Sequence, residues 1–504
     1  MAISIFQQPT LNSATEYKSY AIHWRKHFVW GVKQSSNISS FYKHRFVLRV
    51  YLGASATGLL VASIKQPWNG YETSAGVNRR AFFDIRDILA TYLFWTIYDW
   101  NVDFPDQRPI HFVGCTDNDP VKPISLSRYG MRKFEVEAWE EYAATPTGTP
   151  SEPAGTPPDF EFNAVNATYG TLPNTPIADN SMESNSWNEA LYLGSSSGRL
   201  MTDVPIGGQV SQLYDLSDIA SGGWDFRGNT ERKVQFVAPY DAMTMTLYNN
   251  TDVDFIRISV HFKSTGYVSY TIANTTANGG DPTPSNDSER VLHFGVGPKN
   301  LAEQTDSATL ATAMSGTDWV YYKVRITNSS VDSISESYYF VRDEYSHAYQ
   351  CLNGNQSTDT SKNNRIRLAW INSCGAWDYF TFACKKTEEI TAKNKVLKHE
   401  PAGTWNTEFY DENPLQTTTS VQGMEVKKIL TLNTGYISEE EGEWLQWLFK
   451  SPLVHYIRKN TGETTIPAQI VETKMKKQTL LNDGCKIQYT IKIEFSSADK
   501  TTVR

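Results

Sequence analysis

The sequence is poor in cysteine and has no cysteine pattern. Only five of its 504 residues are cysteines, an odd number, and no two of them form a Cys-x-x-Cys pair. Such a set indicates neither a disulfide framework nor a zinc knuckle. We expect reduced core residues at the five positions, which are Cys115, Cys351, Cys374, Cys384 and Cys485.

Long apolar runs and an excess of basic charge are also missing. The longest apolar run, around Leu89–Trp100, is shorter than the roughly 20 residues that span a bilayer. The first residues lack the apolar core of a signal peptide, so we expect no Sec export and no membrane partner. The net charge of −8 and the pI near 5.7 argue against a general or sequence-specific nucleic-acid binder, although a local basic patch is compatible with them.

No recognisable catalytic motif is present in the sequence. A nucleophile elbow, a phosphate-binding glycine loop, an HExxH zinc motif and paired Cys/His ligands are all missing. Gly295-Val296-Gly297-Pro298 lacks a third glycine and has a proline where a phosphate-binding helix would donate amides, so we interpret it as a turn. We therefore predict a protein that is not an enzyme, with no catalytic residue, metal site or cofactor and with binding residues unknown.

Two groups of polar residues have a structural interpretation that outweighs a chemical one. Asp252 and Asp254 could cleave a glycoside only if they lay roughly 5–10 Å apart in a cleft. Their setting is typical of a turn before a strand. His261 belongs to an alternating strand and is predicted on its solvent face rather than as a ligand or base.

The tetrad Trp377-Asp378-Tyr379-Phe380 places an acid among aromatic side chains. Aromatic rings beside a carboxylate could stack on a sugar. Strand alternation favours a structural role, with Trp377 and Tyr379 on one face and Asp378 and Phe380 on the other. We expect the acid to bind a neighbouring backbone amide.

Aromatic residues are abundant: they form 13% of the chain and include 27 Tyr and 14 Trp. This enrichment suits β-sheets and surfaces buried between subunits. The chain length predicts about three domains at ~100–200 residues each. We predict a mainly β fold of several antiparallel sandwich or barrel domains, with one short capped helix in each of the N- and C-terminal domains. The predicted boundaries are 1–144 (N-terminal), 145–231 (Pro/Gly-rich linker and loop-rich insertion), 232–364 (central sandwich) and 365–504 (C-terminal).

In the N-terminal domain, residues 1–20 are predicted to be a polar arm that is ordered only against a partner. Asp84 is predicted to cap a short helix that contains Ile88 and Leu89, with Asp87 completing a capping box. Thr145–Asp159 is rich in proline and glycine, which predicts a linker or a long exposed loop. Alternating apolar residues predict strands at 44–52, 59–64, 110–113 and 133–142 here, and at 255–262, 267–272, 319–326 and 338–341 in the central domain.

The C-terminal domain carries the strongest signals. Ser438 and Glu441 form a capping box for a helix at 439–449, and Trp444, Leu445 and Leu448 share its buried face. Strands are predicted at 366–371, 377–382, 426–432, 454–457, 466–471 and 485–495.

The same region resembles structural proteins of tailed bacteriophages, especially the crAss-like phages and their relatives. The resemblance rests on W-x-N-x-x-G-x-x-D-x-F-x-F at Trp370–Phe382, L-x-T-G-x-I-S-x-E-E at Leu432–Glu441, and W-L-x-x-L and S-P-x-V within Trp444–Val454. A weaker similarity covers the F-D-I-x-x-I-L pattern at Phe83–Leu89. None of these motifs is catalytic in that family, so the resemblance implies no site residues.

The resemblance implies a virion component of the tail, neck or baseplate. Its partners would be copies of itself, in a symmetric ring or another homo-oligomer, and other virion proteins, with assembly in the host cytoplasm. An alternative from another class is a carbohydrate-binding adhesin that recognises host surface glycan through exposed Trp and Tyr in the loops of residues 160–230. A depolymerising enzyme ranks third. The position in the virion, the symmetry and the role of residues 145–231 stay open at this point.

Overall fold

The structure is a computed structural model of the chain. It describes residues 3–7, 19–23, 27–34, 42–73, 76–93, 111, 124–126, 131–153, 155–167, 199–200, 202, 204–205, 233–249, 255–263, 266–273, 290–304, 307–327, 337–345, 365–372, 375–382, 384, 386–398, 407–409, 411, 419–457, 465–471, 487–495 and 499–502.

The chain forms two compact units. Unit 1 contains Met1–Ile206, Ser217–Arg342 and Ile371–Asp378. Unit 2 contains Gly207–Leu216, Asp343–Trp370 and Tyr379–Arg504. Strands dominate both units, which confirms the predicted mainly β, multi-domain sandwich class.

Within the described residues, unit 1 contains eighteen strands and three helices. The strands are β1 (Ile3–Gln7), β2 (Ser19–His23), β3 (Val29–Gln34), β4 (Tyr42–Leu52), β5 (Leu59–Pro67), β6 (Asn69–Thr73), β7 (Gly76–Asp84), β8 (Ile124–Leu126), β9 (Met131–Ala143), β10 (Asp159–Ala167), β11 (Arg199–Leu200), β12 (Lys233–Val237), β13 (Thr244–Asn249), β14 (Phe255–Phe262), β15 (Gly266–Ala273), β16 (Arg290–Gly295), β17 (Trp319–Thr327) and β18 (Tyr338–Arg342). The helices are α1 (Arg86–Ala90), α2 (Pro298–Glu303) and α3 (Ala308–Ser315).

The first part of unit 1 is a β-sandwich. A four-stranded sheet, in the order β1-β3-β7-β6, shares its core with a five-stranded sheet, in the order β2-β10-β9-β4-β5. Trp30 and Phe83 from the first sheet and Phe46, Phe134 and Phe162 from the second are at most 1% exposed. Alternation along each strand sends these side chains inward, so the buried aromatic residues join the two layers.

Strand β1 pairs with β3 in the chain itself, and β2 pairs with β10. The prediction that residues 1–20 are ordered only against a partner therefore needs correction for the strand Ile3–Gln7. The Pro/Gly-rich segment connects β9 to β10, which are antiparallel neighbours in one sheet. Ser151 of this segment exchanges two backbone hydrogen bonds of 3.2 and 3.0 Å with Tyr142, which lies near the end of β9. The segment is thus a long loop of this sheet.

The second part of unit 1 has a four-stranded sheet, in the order β11-β13-β16-β8, and a five-stranded sheet, in the order β12-β18-β17-β14-β15. Strand β8 comes from the predicted N-terminal region and pairs with β16 of the predicted central domain. The pair β2–β10 in the first part of the unit and the pair β12–β18 in the second part are parallel, so both five-stranded sheets are mixed. Of the strands predicted by sequence, 110–113 lies outside the described residues except for His111.

The helices of unit 1 differ from the prediction. Helix α1 begins at Arg86, its N-cap is Ile85, and no side chain caps it. Asp84 instead accepts hydrogen bonds from the backbone N–H groups of Phe28 at 3.0 Å and Arg86 at 3.1 Å. The Asp87 carboxylate accepts from the Arg86 side chain, so no capping box forms. Asp84 thus ties two elements together.

Helices α2 and α3 were not predicted. Pro298, interpreted from sequence as part of a turn, occupies the first turn of α2, where the missing proline N–H costs nothing. Ser307 caps α3 by accepting from the backbone N–H of Leu310 at 3.3 Å. The proline and the capping serine are both visible in the sequence as helix start signals. Neither helix exceeds eight residues, so each is too short to show a clear helical period of apolar residues.

Within the described residues of the C-terminal region, eight strands form one sheet with a single α-helix beside it. The strands are β19 (Ile366–Ile371), β20 (Trp377–Phe382), β21 (Thr387–Lys398), β22 (Thr419–Asn433), β23 (Val454–Ile457), β24 (Thr465–Ile470), β25 (Thr490–Phe495) and β26 (Asp499–Thr502). Their order is β20-β19-β23-β24-β25-β22-β21, and β26 pairs with β22.

Helix α4 (Glu439–Lys450) packs against this sheet and begins as predicted. The Ser438 hydroxyl accepts from the Glu441 N–H at 3.2 Å, and the Glu441 carboxylate accepts from the Ser438 N–H at 2.8 Å. Trp444, Leu445 and Leu448 are all buried. The Trp444 ring lies 5.2 Å from that of Trp370 in β19, so the helix covers one face of the sheet.

Candidate assembly surface

The most exposed element among the described residues is β21, an edge strand. All twelve of its residues are exposed, and the strand pairs with β22 along its whole length, from Thr387 opposite Thr431 to Lys398 opposite Thr419. No other described strand pairs with β21. Its second edge therefore presents a row of backbone N–H and C=O groups, which is a template for pairing with another chain.

Sequence periodicity could not reveal this strand. A half-buried strand alternates apolar and polar residues, but β21 reads Thr-Glu-Glu-Ile-Thr-Ala-Lys-Asn-Lys-Val-Leu-Lys and has no core-facing side. Its register is fixed by β22 instead, through twelve paired residues and an ion pair of 2.5 Å between Glu388 and Lys428. The sequence signals available were the β-branched residues Thr387, Ile390, Thr391 and Val396.

Apolar side chains lie on the exposed β21–β22 ribbon. Ile390 is 63% exposed, Val396 55% and Leu397 42%, and Val421 on β22 is 43% exposed. Natural proteins usually shield an edge of this length or keep large apolar residues off it. The arrangement can therefore add a strand from a partner, with backbone hydrogen bonds supplying affinity and side chains supplying register.

The tetrad at 377–380 is buried rather than sugar-accessible. Trp377, Asp378, Tyr379 and Phe380 are each at most 3% exposed. The Asp378 carboxylate accepts a hydrogen bond of 2.6 Å from the Thr202 hydroxyl, a partner that the sequence reasoning did not name.

The space beside this tetrad is very small. The cavity that Asp378 lines together with Thr202, Gln235 and Thr246 measures about 10 Å³ for the centre of a water molecule. That is close to the smallest cavity that holds one water. A sugar ring does not fit there, so the tetrad is not a glycan site.

His261 is not a simple solvent-face residue. Its ring stacks at 3.9 Å on Tyr321 and at 5.1 Å on Tyr267, which flank it on the neighbouring strands. Burial, with a smaller contribution from the nearby Lys323 charge, lowers the pKa of His261 to about 4. The imidazole is therefore neutral at pH 7 and serves as one ring of an aromatic row across the sheet.

His293 is a second buried histidine, in β16. Its Nδ1 lies 2.9 Å from the hydroxyl of Thr246 on the paired strand β13. Burial lowers the pKa of His293 to about 3. This histidine is held neutral and cross-links two strands of one sheet.

The other sequence candidates fall outside the described residues or show no constellation. Asp252 and Asp254, and most of the loops at 160–230, are not among the described residues. Cys384 is a partly exposed cysteine that forms no disulfide bond, and the other four cysteines lie outside the described part. Among the described residues, no group of three or more His, Cys, Asp or Glu side chains is placed to hold a metal ion.

None of the helices formed by the described residues combines the length and apolar character that a bilayer-crossing helix requires. No protein-family model and no curated protein matches the chain. The β21 edge combines exposure, length and backbone groups that no other described strand pairs, which are the properties of a strand that can add to a partner.

Proposed function

We propose that the protein is a structural component of a tailed-bacteriophage virion, in the tail, neck or baseplate, and that it acts by assembly rather than catalysis. The observation that carries the proposal is the fully exposed edge strand β21. The motifs that resemble phage structural proteins flank this strand in the sequence, with Trp370–Phe382 before it and Leu432–Glu441 after it.

A monomeric protein gains nothing from such a strand. A long exposed edge that carries apolar residues favours uncontrolled aggregation, and natural sequences usually shorten it, cover it or charge it, as the lysines of β21 do in its C-terminal half. A subunit of an assembly uses the same edge as a contact, because the partner satisfies the backbone groups and covers the apolar side chains. The high aromatic content agrees with further buried contacts between copies or with other virion proteins.

The test is the location of the protein in purified phage particles. We expect mass spectrometry of the particles to find the chain in several copies, and immunogold electron microscopy to place it at the tail, neck or baseplate. Light scattering on the purified protein measures assembly independently. Absence from particles, together with a monomer at micromolar concentration, would refute the proposal.

A glycan array separates the adhesin alternative from the structural role. That alternative depends on aromatic residues at 160–230, most of which lie outside the described residues. Under the structural proposal, the purified protein binds no glycan on the array. Specific glycan binding would replace the structural role with host recognition.

A further inference from the structure

We propose that two copies of the chain pair their β21 strands antiparallel, about a two-fold axis that passes at Ala392. The inference rests on the proposed assembly function and names the partner at that surface: a second copy of this chain. It follows from the charges, the backbone edge and the apolar residues of β21.

The charges of β21 are divided between its two ends. Glu388 and Glu389 lie at the N-terminal end, and Lys393, Lys395 and Lys398 occupy the C-terminal half. Parallel pairing in register would put like charges beside each other, which is unfavourable. Antiparallel pairing brings the acidic end of one copy to the basic half of the other, so the strand is complementary to itself.

Most of these charges are available for a partner. Glu388 is already bound to Lys428 in its own chain. Within the described residues, Glu389, Lys393 and Lys395 form no ion pair. The usual protective role of edge lysines accounts for the basic half of β21 but not for a free acid at its other end.

Backbone geometry limits the possible registers. Successive residues of an edge strand point their N–H and C=O groups alternately toward the neighbour and away from it. Two residues directly opposite each other in an antiparallel pair must both point their backbone groups toward the partner strand or both point them away. In a symmetric pair, an axis between two residues would place neighbours of opposite direction across from each other. The axis must therefore pass at a residue. Thr391, Ala392 and Lys393 are the central choices, and Lys393 would face its own charge.

Placing Ala392 on the axis gives favourable side-chain neighbours on both faces of the strand. Glu389 then lies opposite Lys395 of the second copy, and by symmetry this ion pair occurs twice. On the other face, Ile390 and Val396 of the two copies become diagonal neighbours around the small Ala392 side chains. Ile390 and Val396 of each copy thus contact their counterparts, while Leu397 lies on the face of Glu389, opposite Thr387 of the second copy.

This contact is isologous, so it closes after two copies. It predicts a dimer as the unit of assembly, whereas a ring built from head-to-tail contacts alone would need a different surface. Eleven residues on each strand, 387–397, take part in the paired segment. With outward backbone groups on every second residue, about ten hydrogen bonds form between the copies.

Charge reversal tests the pairing. We expect sedimentation of the full chain to show a dimer, and Glu389→Lys or Lys395→Glu alone to weaken the dimer about tenfold or more, because each reversal makes two repulsive pairs. An equimolar mixture of the two variants should form a heterodimer, and the double variant E389K/K395E should recover self-association. Glu408→Lys, which reverses an exposed charge elsewhere, is the matched control and should leave the dimer unchanged.

A monomeric parent chain at 100 µM, or reversal variants that dimerise like the parent, would overturn the proposal. Loss of the dimer in both variants without recovery in the mixture would also refute the pairing of Glu389 with Lys395. Melting temperatures close to that of the parent show that each variant is folded, since the substituted side chains are exposed.

A cross-link tests the axis directly. Residues opposite each other in an antiparallel pair have Cα atoms about 4.5–5.5 Å apart, within disulfide range. Ala392→Cys should therefore give an oxidised dimer, while Thr387→Cys, separated from its own copy by about 30 Å, should not exceed the background of the native cysteines. A cross-link that forms equally at both positions, or at neither, would contradict the register.

The outcomes for the dimer and for the virion role are distinct. If the protein dimerises but is absent from phage particles, the proposed function is refuted and the pairing of β21 is retained. A particle protein that is monomeric, with β21 insensitive to charge reversal, removes the pairing and leaves the function.

Discussion

Replacing Trp444 by alanine tests whether helix α4 is the cover of the C-terminal sheet. Trp444 is 3% exposed, and its ring lies 5.2 Å from Trp370 and 6.0 Å from Phe380. Both neighbours belong to strands of the sheet, so the tryptophan fills the space between helix and sheet. Its loss leaves a cavity that the rigid strands cannot close.

The expected cost follows from burial. A tryptophan buries about 150–250 Å², which corresponds to about 4–6 kcal/mol at roughly 25 cal/mol per Å². The alanine retains a small part of this burial, whereas the cavity adds to the loss. We expect Trp444→Ala to destabilise the sheet by about 3–5 kcal/mol, a large part of the stability of an ordinary domain.

Two controls on the same helix isolate the packing effect. Trp447→Ala makes the same chemical change at a partly exposed position, where the Lys450 ammonium lies 4.4 Å from the ring. We expect a cost of about 1 kcal/mol for this variant, from the loss of the cation–π contact and partial burial. Ser438→Ala removes the cap and no core volume, and it should also cost about 1 kcal/mol.

Hydrogen exchange of the full chain, read by mass spectrometry, is the appropriate assay because two units need not unfold in one step. Peptides from β19, β20 and β25 report the opening free energy of the sheet. Trp444→Ala should accelerate their exchange far more than Trp447→Ala. Equal and small effects of the two substitutions would show that Trp444 does not fill the space between the helix and the sheet.

Two further predictions concern other positions. The buried His293 has a pKa of about 3 against an ordinary value of 6.5, so its contribution to stability is full above pH 6.5 and is lost as the pH falls toward 3. In His293→Gln, the free energy of unfolding should therefore depend less steeply on pH between about 3 and 6.5. An unchanged pH dependence would show that His293 does not cause this loss of stability. Gly435 has a backbone φ of +73°, and a Cβ added there by Gly435→Ala would lie 2.9 Å from the Cys384 sulfur. Gly266 has a φ of +82°, and a Cβ added there would contact no other atom. Thermal melts should show a cost of about 1–2 kcal/mol at Gly266 and a larger one at Gly435, and the opposite order would refute the clash.

The sequence predicted several short strands with the bounds that the structure shows. Strands 366–371, 377–382, 454–457 and 255–262 are rich in β-branched and aromatic residues, and the first of them is buried on both faces. The alternating run at 485–495 was predicted too long, because within the described residues its strand begins only at Thr490. The capping box of α4 was predictable because it depends on two residues three positions apart. Local chemistry therefore determined these elements without help from distant parts of the chain.

Elements that depend on distant partners escaped prediction. Strand β21 has no apolar period, since β22 alone holds it in place. Asp84 looked like a helix cap but binds the backbone of Phe28, which is far away in sequence. The candidate surface could not be found from composition for the same reason: an exposed edge is defined by which strands lie beside it.

The pairing of β2 with β10 has a consequence for synthesis of the chain. Residues 19–23 of β2 pair with residues 163–167 of β10. During synthesis, β2 therefore cannot form this pair until most of the first sandwich of unit 1 has been translated. At roughly 5–20 residues per second, this wait lasts on the order of ten seconds. Throughout that time the nascent segment carries unpaired backbone groups, and slower growth at low temperature or added chaperone should raise the yield of soluble protein.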